Sequence, residues 1–280
     1  MSYAKCESLA NSHYENFPVA KMVPKRLRKH VAAVYAFART ADDIADENHD
    51  TIADNDPIRI RRLEEFQSQL DVSDASKLDP RWDWLFIACA ATIKKFSIPD
   101  SLFRDLISAF AQDVVKKRYA DFPELLDYCR RSANPVGRLV LLLHGFSDDE
   151  RFRMSDNICT ALQLANFWQD MSVDRLKNRI YIPESDWNGA NEAEIFADVA
   201  TTRVREIVKF QVERTRELFV AGEKLPSLLP FPLSLEIRAT LAGGRAILDK
   251  IQSQNFDTLS KRPAIGKLDK IRILLRALIP

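Results

Sequence analysis

The stretch Val31-Ala32-Ala33-Val34-Tyr35-Ala36-Phe37-Ala38-Arg39-Thr40-Ala41-Asp42-Asp43-Ile44-Ala45-Asp46 decides the fold. It is apolar on nearly every side and lacks the period-2 alternation of a strand, so it reads as a helix central to a large bundle. A second stretch has the same character: Ile158-Cys159-Thr160-Ala161-Leu162, then Leu164-Ala165 and Phe167-Trp168. Both nevertheless carry carboxylates. Tyr35, Arg39, Asp42 and Asp46 are spaced 4, 3 and 4; Gln163, Asn166, Asp170 and Asp174 are spaced 3, 4 and 4. Each set forms one stripe on a helix, and each aspartate pair is separated by about 6 Å of helical rise.

Outward from these two segments, helical starts recur. Asp56-Pro57 and Asp79-Pro80 each offer a cap followed by Pro, and Pro99 and Pro123 open two more. Nine or ten helices are expected, from residues near 3, 25, 57, 80, 99, 123, 148, 192, 232 and 264. Only seven Gly occur where average usage of roughly 7% would give about twenty, which disfavours hairpins and glycine-rich phosphate loops. The expected class is all-α, with residues 1–280 as one domain and no solenoid repeat.

Charge and cysteine usage narrow the function. The chain has 41 Lys+Arg against 40 Asp+Glu among 280 residues, for a net charge of +1. A nucleic-acid partner recognised through phosphate neutralisation is therefore not expected. Cys6, Cys89, Cys129 and Cys159 form no C-x-x-C pair and read as reduced thiols. With neither a signal pattern nor an apolar run of about 18 residues, the expected location is the cytoplasm, with contact at the inner membrane face left open.

Like charges four residues apart oppose a helix, and burying an unpaired carboxylate costs several kcal/mol more. Two accounts stand: neutralisation by Arg39, Arg175 and Arg179, or a cavity with a carboxylate pair on each wall held open by divalent metal. All-oxygen donors suit Mg²⁺, which completes its shell with water and phosphate oxygens. His13, His30, His49 and His144 do not cluster, and no Glu-x-x-His occurs, which disfavours zinc and di-iron sites. His144 reads as a packed helical residue. The stripes suit a diphosphate, with Arg39, Arg179, Tyr35 and Tyr181 completing the clamp.

Three further segments each admit two readings. Tyr128-Cys129-Arg130-Arg131-Ser132-Ala133-Asn134-Pro135-Val136-Gly137 is either a loop between helices or a Pro-kinked wall for a long apolar ligand. The stretch from Gly266 to Ile279 is either a packed terminal helix with a basic edge or a shallow membrane attachment. Gly243-Gly244 marks close helix contact rather than a phosphate loop.

At these residues the chain resembles the squalene/phytoene synthase family. The match runs through Tyr35-Ala-Phe-Ala-Arg39-Thr-Ala-Asp42-Asp43-Ile-Ala-Asp46, Tyr128-Cys129, Val136-Gly137, Gln163-Leu-Ala-Asn166-Phe-Trp-Gln169-Asp170-Met-Ser-Val-Asp174 and Arg179-Ile-Tyr181-Ile-Pro183. The resemblance implies an isoprenoid-synthase-type bundle with a central cavity, binding a prenyl diphosphate with Mg²⁺. It implies Asp42, Asp46, Asn166, Asp170 and Asp174 as metal ligands, and Asn16, Tyr35, Arg39, Gln163, Arg179, Tyr181 and Arg262 as substrate or diphosphate contacts. Tyr128 falls near the reacting carbons, and Phe37, Tyr128 and Phe167 are candidate faces for a carbocation.

Departures from the common pattern indicate a branch. Gln169 stands where many members have Arg, Val173 where an acidic residue is common, and His13-Tyr14-Glu15-Asn16-Phe17 where a hydroxyl-rich segment is usual. With Pro18 and Asn166-Phe167-Trp168-Gln169-Asp170, that segment resembles the hydroxysqualene synthase branch of hopanoid biosynthesis. Such an enzyme converts presqualene diphosphate and water to hydroxysqualene and diphosphate, with neighbouring pathway enzymes as the implied partners. The alternatives are a synthase joining two prenyl diphosphates head to head and a non-catalytic assembly factor of the same fold.

Overall fold

The structure, a computed structural model, describes residues 2–12, 23–46 and 56–278. Its helices are α1 (Ser2–Ser12), α2 (Lys25–Asp46), α3 (Asp56–Ser68), α4 (Asp83–Phe96), α5 (Ser101–Val115), α6 (Phe122–Ser132), α7 (Asn134–Leu143), α8 (Asp149–Gln169), α9 (Met171–Asp174), α10 (Glu192–Ile195), α11 (Thr202–Gly222), α12 (Leu233–Ser253) and α13 (Lys267–Leu278). Among the described residues there is no strand. The chain divides into two compact units, residues 1–116 with 135–148, and residues 117–134 with 149–280.

In the first unit, α2 presents buried Ala32, Ala33, Ala36, Ala41 and Ala45, whose small side chains let neighbouring helices approach. Phe37 fills the centre, fully buried, with its ring 4.8 Å from Phe103, 5.0 Å from Phe66 and 5.9 Å from Phe86. Edge-on geometry and full burial identify it as a packing residue. Its candidacy as a carbocation face is corrected accordingly: Phe37 and the acidic stripe occupy different faces of α2. A polar pin holds α1 beside α2 and α4, where Tyr3 Oη lies 3.2 Å from His30 Nδ1 and Thr92 Oγ1 lies 2.9 Å from the same nitrogen.

The second unit is built on α8, which packs chiefly against α11 and α12. Buried Trp168 donates its indole N–H to Thr215 at 2.9 Å. Gly244 of α12 makes the closest approach: a Cβ there would lie 2.4 Å from Phe219 Cζ and 2.8 Å from Leu162 Cδ2. Gly243 has open space, so of this pair only Gly244 makes a close helix contact.

Pro135 produces neither of the two arrangements expected of its segment. α6 stops at Ser132, one residue intervenes, and α7 begins at Asn134, placing Pro135 in a first turn where no N–H is needed. Asn134 is held by the Thr160 hydroxyl at 2.9 Å. The helix expected from 192 is also two helices: a single turn capped by Asn191, then α11 starting after Thr201, whose hydroxyl accepts from Val204 N–H. The starts expected near 80 and 264 fall at 83 and 267.

Candidate active site

The first acidic row lies on α2. Arg39 reaches Asp42 at 3.2 Å and Asp43 at 2.5 Å, and all three side chains are between one third and one half exposed. Asp43, four residues beyond Arg39, is a partner that the Tyr35, Arg39, Asp42 and Asp46 stripe leaves out. Tyr35 belongs to the same neighbourhood: burial raises its pKa first, and the charges of Arg39, Asp43 and Asp42 then act on it. Asp46, at the end of α2, is exposed. Arg39 Nε is buried and has no hydrogen-bond partner among the described residues, leaving a donor directed at no protein acceptor.

The second row breaks where a continuous helix was expected. α8 ends at Gln169, Asp170 sits at the junction, and α9 adds one turn ending at Asp174. The four-residue spacing survives because Asp174 N–H donates to Asp170 O at 2.8 Å. Arg262 reaches Asp170 at 2.5 Å; that hydrogen bond, then the Asp170 and Asp174 charges, raises the guanidinium pKa. Buried Gln169 donates its amide N–H to Pro263 O at 2.7 Å, so two adjacent residues of the row grip adjacent residues of one distant segment. Asn166 is exposed, and Gln163 is partly buried on α8.

Arg175 does not neutralise the row. It turns to Asp198 at 2.8 Å and to the carbonyls of Phe196 and Ala197, anchoring the turn after α9. Asn178 follows in the left-handed region at φ 55°, and Arg179 N–H closes the turn on Asp174 O at 3.0 Å. Arg118 bonds Asn178 O at 2.6 Å and its side-chain oxygen at 2.8 Å, while Ile180 N–H donates to Lys117 O, fixing the segment that carries Arg179 and Tyr181.

Beside this turn lies an aromatic stack. Phe167 and Tyr181 are nearly parallel, with centroids 3.7 Å apart, and Tyr119 stacks on Tyr181 at 5.8 Å. Tyr128, 3% exposed, lies 6.0 Å from Phe167 and 6.3 Å from Tyr181. Phe167, Asp174, Arg179 and Tyr181 line one crevice, together with Met171 and Ile182. Tyr119 was not singled out in the sequence because no motif marks it.

The remaining residues singled out have structural roles or lie outside the described residues. Asn16, with His13, Tyr14, Glu15, Phe17 and Pro18, lies outside the described residues, as does His49. His144 is packed past the end of α7, its Nδ1 2.9 Å from Val140 O. Cys6, Cys89 and Cys129 are buried thiols and Cys159 is half-buried; burial pushes Cys6 up to about 11. No helix among the described residues is long and apolar enough to cross a membrane.

The oxygen donors that could hold a divalent ion are the carboxylates of the two rows. Among the described residues no three His, Cys, Asp or Glu side chains are grouped to hold an ion. Each row instead offers paired carboxylates, matching an ion that takes one or two from protein and the rest from water and phosphate. The arginine pairs are partly exposed, each worth at most about 1 kcal/mol, so a divalent cation binding there would displace them at small cost.

Comparison with known proteins bears on the family and the fold. Hydroxysqualene synthase of Rhodopseudomonas palustris is 34% identical over 89% of the chain and 82% of its own length, and that of Sinorhizobium fredii 32% identical over 91% and 85%. The chain spans about two thirds of the maize and Arabidopsis phytoene synthases that it also matches. The crystal structure of squalene synthase HpnC from Alicyclobacillus acidocaldarius is 40% identical, with a TM-score of 0.82 over 91% of this chain and 94% of that one. The helical fold is thus of the isoprenoid-synthase type. A family-wide sequence model for squalene/phytoene synthase matches residues 9–269, and with these relatives it places the chain in the squalene/phytoene synthase family of prenyl diphosphate synthases.

Proposed function

We propose that this enzyme is a hydroxysqualene synthase, converting presqualene diphosphate and water to hydroxysqualene and diphosphate. The observation that carries the reaction class is the crevice lined jointly by Asp174, Arg179 and the stacked rings of Phe167 and Tyr181. It sets groups suited to a departing anion beside π surfaces suited to a cation. The branch is supported by the two hydroxysqualene synthases at 32% and 34% identity and by the motif around Gln169.

In this reading Asp42 and Asp46 on α2 would hold Mg²⁺, as would Asn166, Asp170 and Asp174 on α8 and α9. When bound, Mg²⁺ neutralises diphosphate and makes it a better leaving group. Arg39, Arg179 and Arg262 receive its oxygens through charge-assisted hydrogen bonds. Tyr35, Gln163 and Asn16 complete the substrate contacts. The C–O bond breaks with its electron pair leaving on diphosphate, and the cyclopropylcarbinyl cation rearranges. Tyr128, Phe167 and Tyr181 stabilise it, each face contributing about 0.5–2 kcal/mol. A water oxygen then bonds to the allylic carbon and loses its proton. The family match runs through both units, supporting the whole chain as one catalytic domain.

Incubation with Mg²⁺ and presqualene diphosphate, without reductant, should release hydroxysqualene and diphosphate, while farnesyl diphosphate should be inert. The squalene synthase at 40% identity favours the second reading, head-to-head condensation of two prenyl diphosphates. Turnover of farnesyl diphosphate alone would establish that reading instead. Turnover of neither would favour a non-catalytic role.

A further inference from the structure

Large apolar side chains are exposed singly over most of the surface, as is ordinary. α13 is different. Within its twelve residues Leu268, Ile271, Leu274, Leu275 and Leu278 are 72%, 55%, 61%, 57% and 64% exposed. The last four are spaced 3, 4 and 7 from the first of them, the signature of one helical face. The opposite face meets α12: Ala277 is buried, Lys250 reaches Asp269 at 2.9 Å, and Arg276 lies 3.8 Å from Asp249. The helix is therefore attached to its unit through Asp269, Ile273, Arg276 and Ala277 and turns its leucines outward. Lys267, Lys270, Arg272 and Arg276 against a single Asp269 leave it cationic, and the first three are exposed beside the apolar stripe.

We propose that α13 is a lipid-docking helix, seating the Leu268 to Leu278 face in the surface of an anionic bilayer while the flanking Lys and Arg contact headgroups. Charge selects the occupant. An apolar stripe bordered by exposed cations complements anionic lipid, whose surface adds to hydrophobic insertion, whereas an uncharged apolar partner would leave those cations unused. Long basic side chains at its edges extend their charge to the interface while their stems lie along the apolar surface. The helix is also joined to the second acidic row. Four residues separate Arg262 from α13, and Arg262 and Pro263 are the groups held by Asp170 and Gln169. Docking thus brings the diphosphate-binding residues of that unit to the membrane surface. Only this last consequence rests on the proposed reaction; lipid binding stands without it.

The test is co-sedimentation of the full chain, without Mg²⁺ or substrate, with vesicles of phosphatidylcholine alone or containing about one third phosphatidylglycerol. The protein should bind the anionic vesicles and release them at high salt. Neutralising Lys270 and Arg272 to Gln should weaken binding about fivefold per charge on anionic vesicles only. Ile271→Glu with Leu275→Glu should abolish binding at matched helicity and melting temperature, since both side chains are exposed. The same variants should retain turnover of detergent-dispersed presqualene diphosphate. Absence of vesicle binding, binding indifferent to these substitutions, or concentration-dependent self-association removed by the double Glu variant would each overturn the proposal. None of these outcomes bears on the proposed reaction, which is judged separately by turnover of detergent-dispersed presqualene diphosphate and of farnesyl diphosphate.

Discussion

The two acidic rows solve one electrostatic problem in opposite ways. On α2 the neutralising arginine is local: Arg39 precedes Asp42 and Asp43 by three and four residues, so one helix carries both charges and counter-charge. On α8 and α9 the counter-charge comes from Arg262, 92 residues away, and Gln169 fastens the same segment. The first row is set wherever α2 is helical. The second exists only when the segment between α12 and α13 is in place, so its chemistry is coupled to the folding of its whole unit.

Substitution of one aspartate in each row tests whether both rows are needed despite this difference. Asp42→Ala and Asp170→Ala should each lower diphosphate release by about 10²–10³, as loss of one preorganised electrostatic group does, with the melting temperature retained. Loss at Asp170 alone would make the α2 row dispensable. The supporting cores are compared by Phe37→Ala, which should cost about 3–5 kcal/mol by denaturant unfolding because its cavity is enclosed by three aromatic rings. Tyr181→Ala, at a half-buried ring, should cost less stability and more turnover.

In the second unit, Gly244→Ala should destabilise by about 1–3 kcal/mol through overpacking against Phe219 and Leu162. Gly243→Ala, facing open space within a helix, should stabilise by up to about 1 kcal/mol. Arg39→Gln and Arg262→Gln should each change stability by no more than about 1 kcal/mol. Only Arg262→Gln should also increase proteolysis of residues 257–266, because only that arginine ties a distant segment.

The smallest effects are expected in the pH dependence of melting. Burial, then the Lys95 and Lys29 charges, holds His30 down to about 4 from 6.5. The unfolded chain takes up that proton first, so this contribution is lost as pH falls from about 6.5 to about 4. Burial pushes Glu236 in the second unit up to about 7 from 4.5. Its folded form keeps the proton longer, so its contribution is complete below about 4.5 and lost as pH rises through about 7. His30→Gln should remove the loss of stability as pH falls from about 6.5 to about 4, and Glu236→Gln the loss as pH rises from about 4.5 to about 7.

Much of the architecture was legible because helix starts and apolar periodicity are local signals. α2 begins at the expected residue, and Asp121 with Pro123 opens α6, where the Asp121 carboxylate accepts from Glu124 N–H. Errors arose where local signals were ambiguous. Pro135 serves a kink or a first turn equally well, and Thr201 competed with earlier apolar residues as the start of a helix. Phe37 and Phe167 look alike as aromatic residues on apolar helices; only packing separates an enclosed core ring from one stacked beside Asp174 and Arg179.

The sequence by itself determined the helical class and the four-residue spacing of the aspartates in each row, because both depend on signals within a few residues along the chain. Tertiary structure alone decided that Arg262 and Gln169 meet one distant segment, that Arg175 turns away to Asp198, and that α13 faces its leucines outward. Those outcomes depend on which surfaces meet after long loops close, and the energies of such meetings are not written in any local spacing.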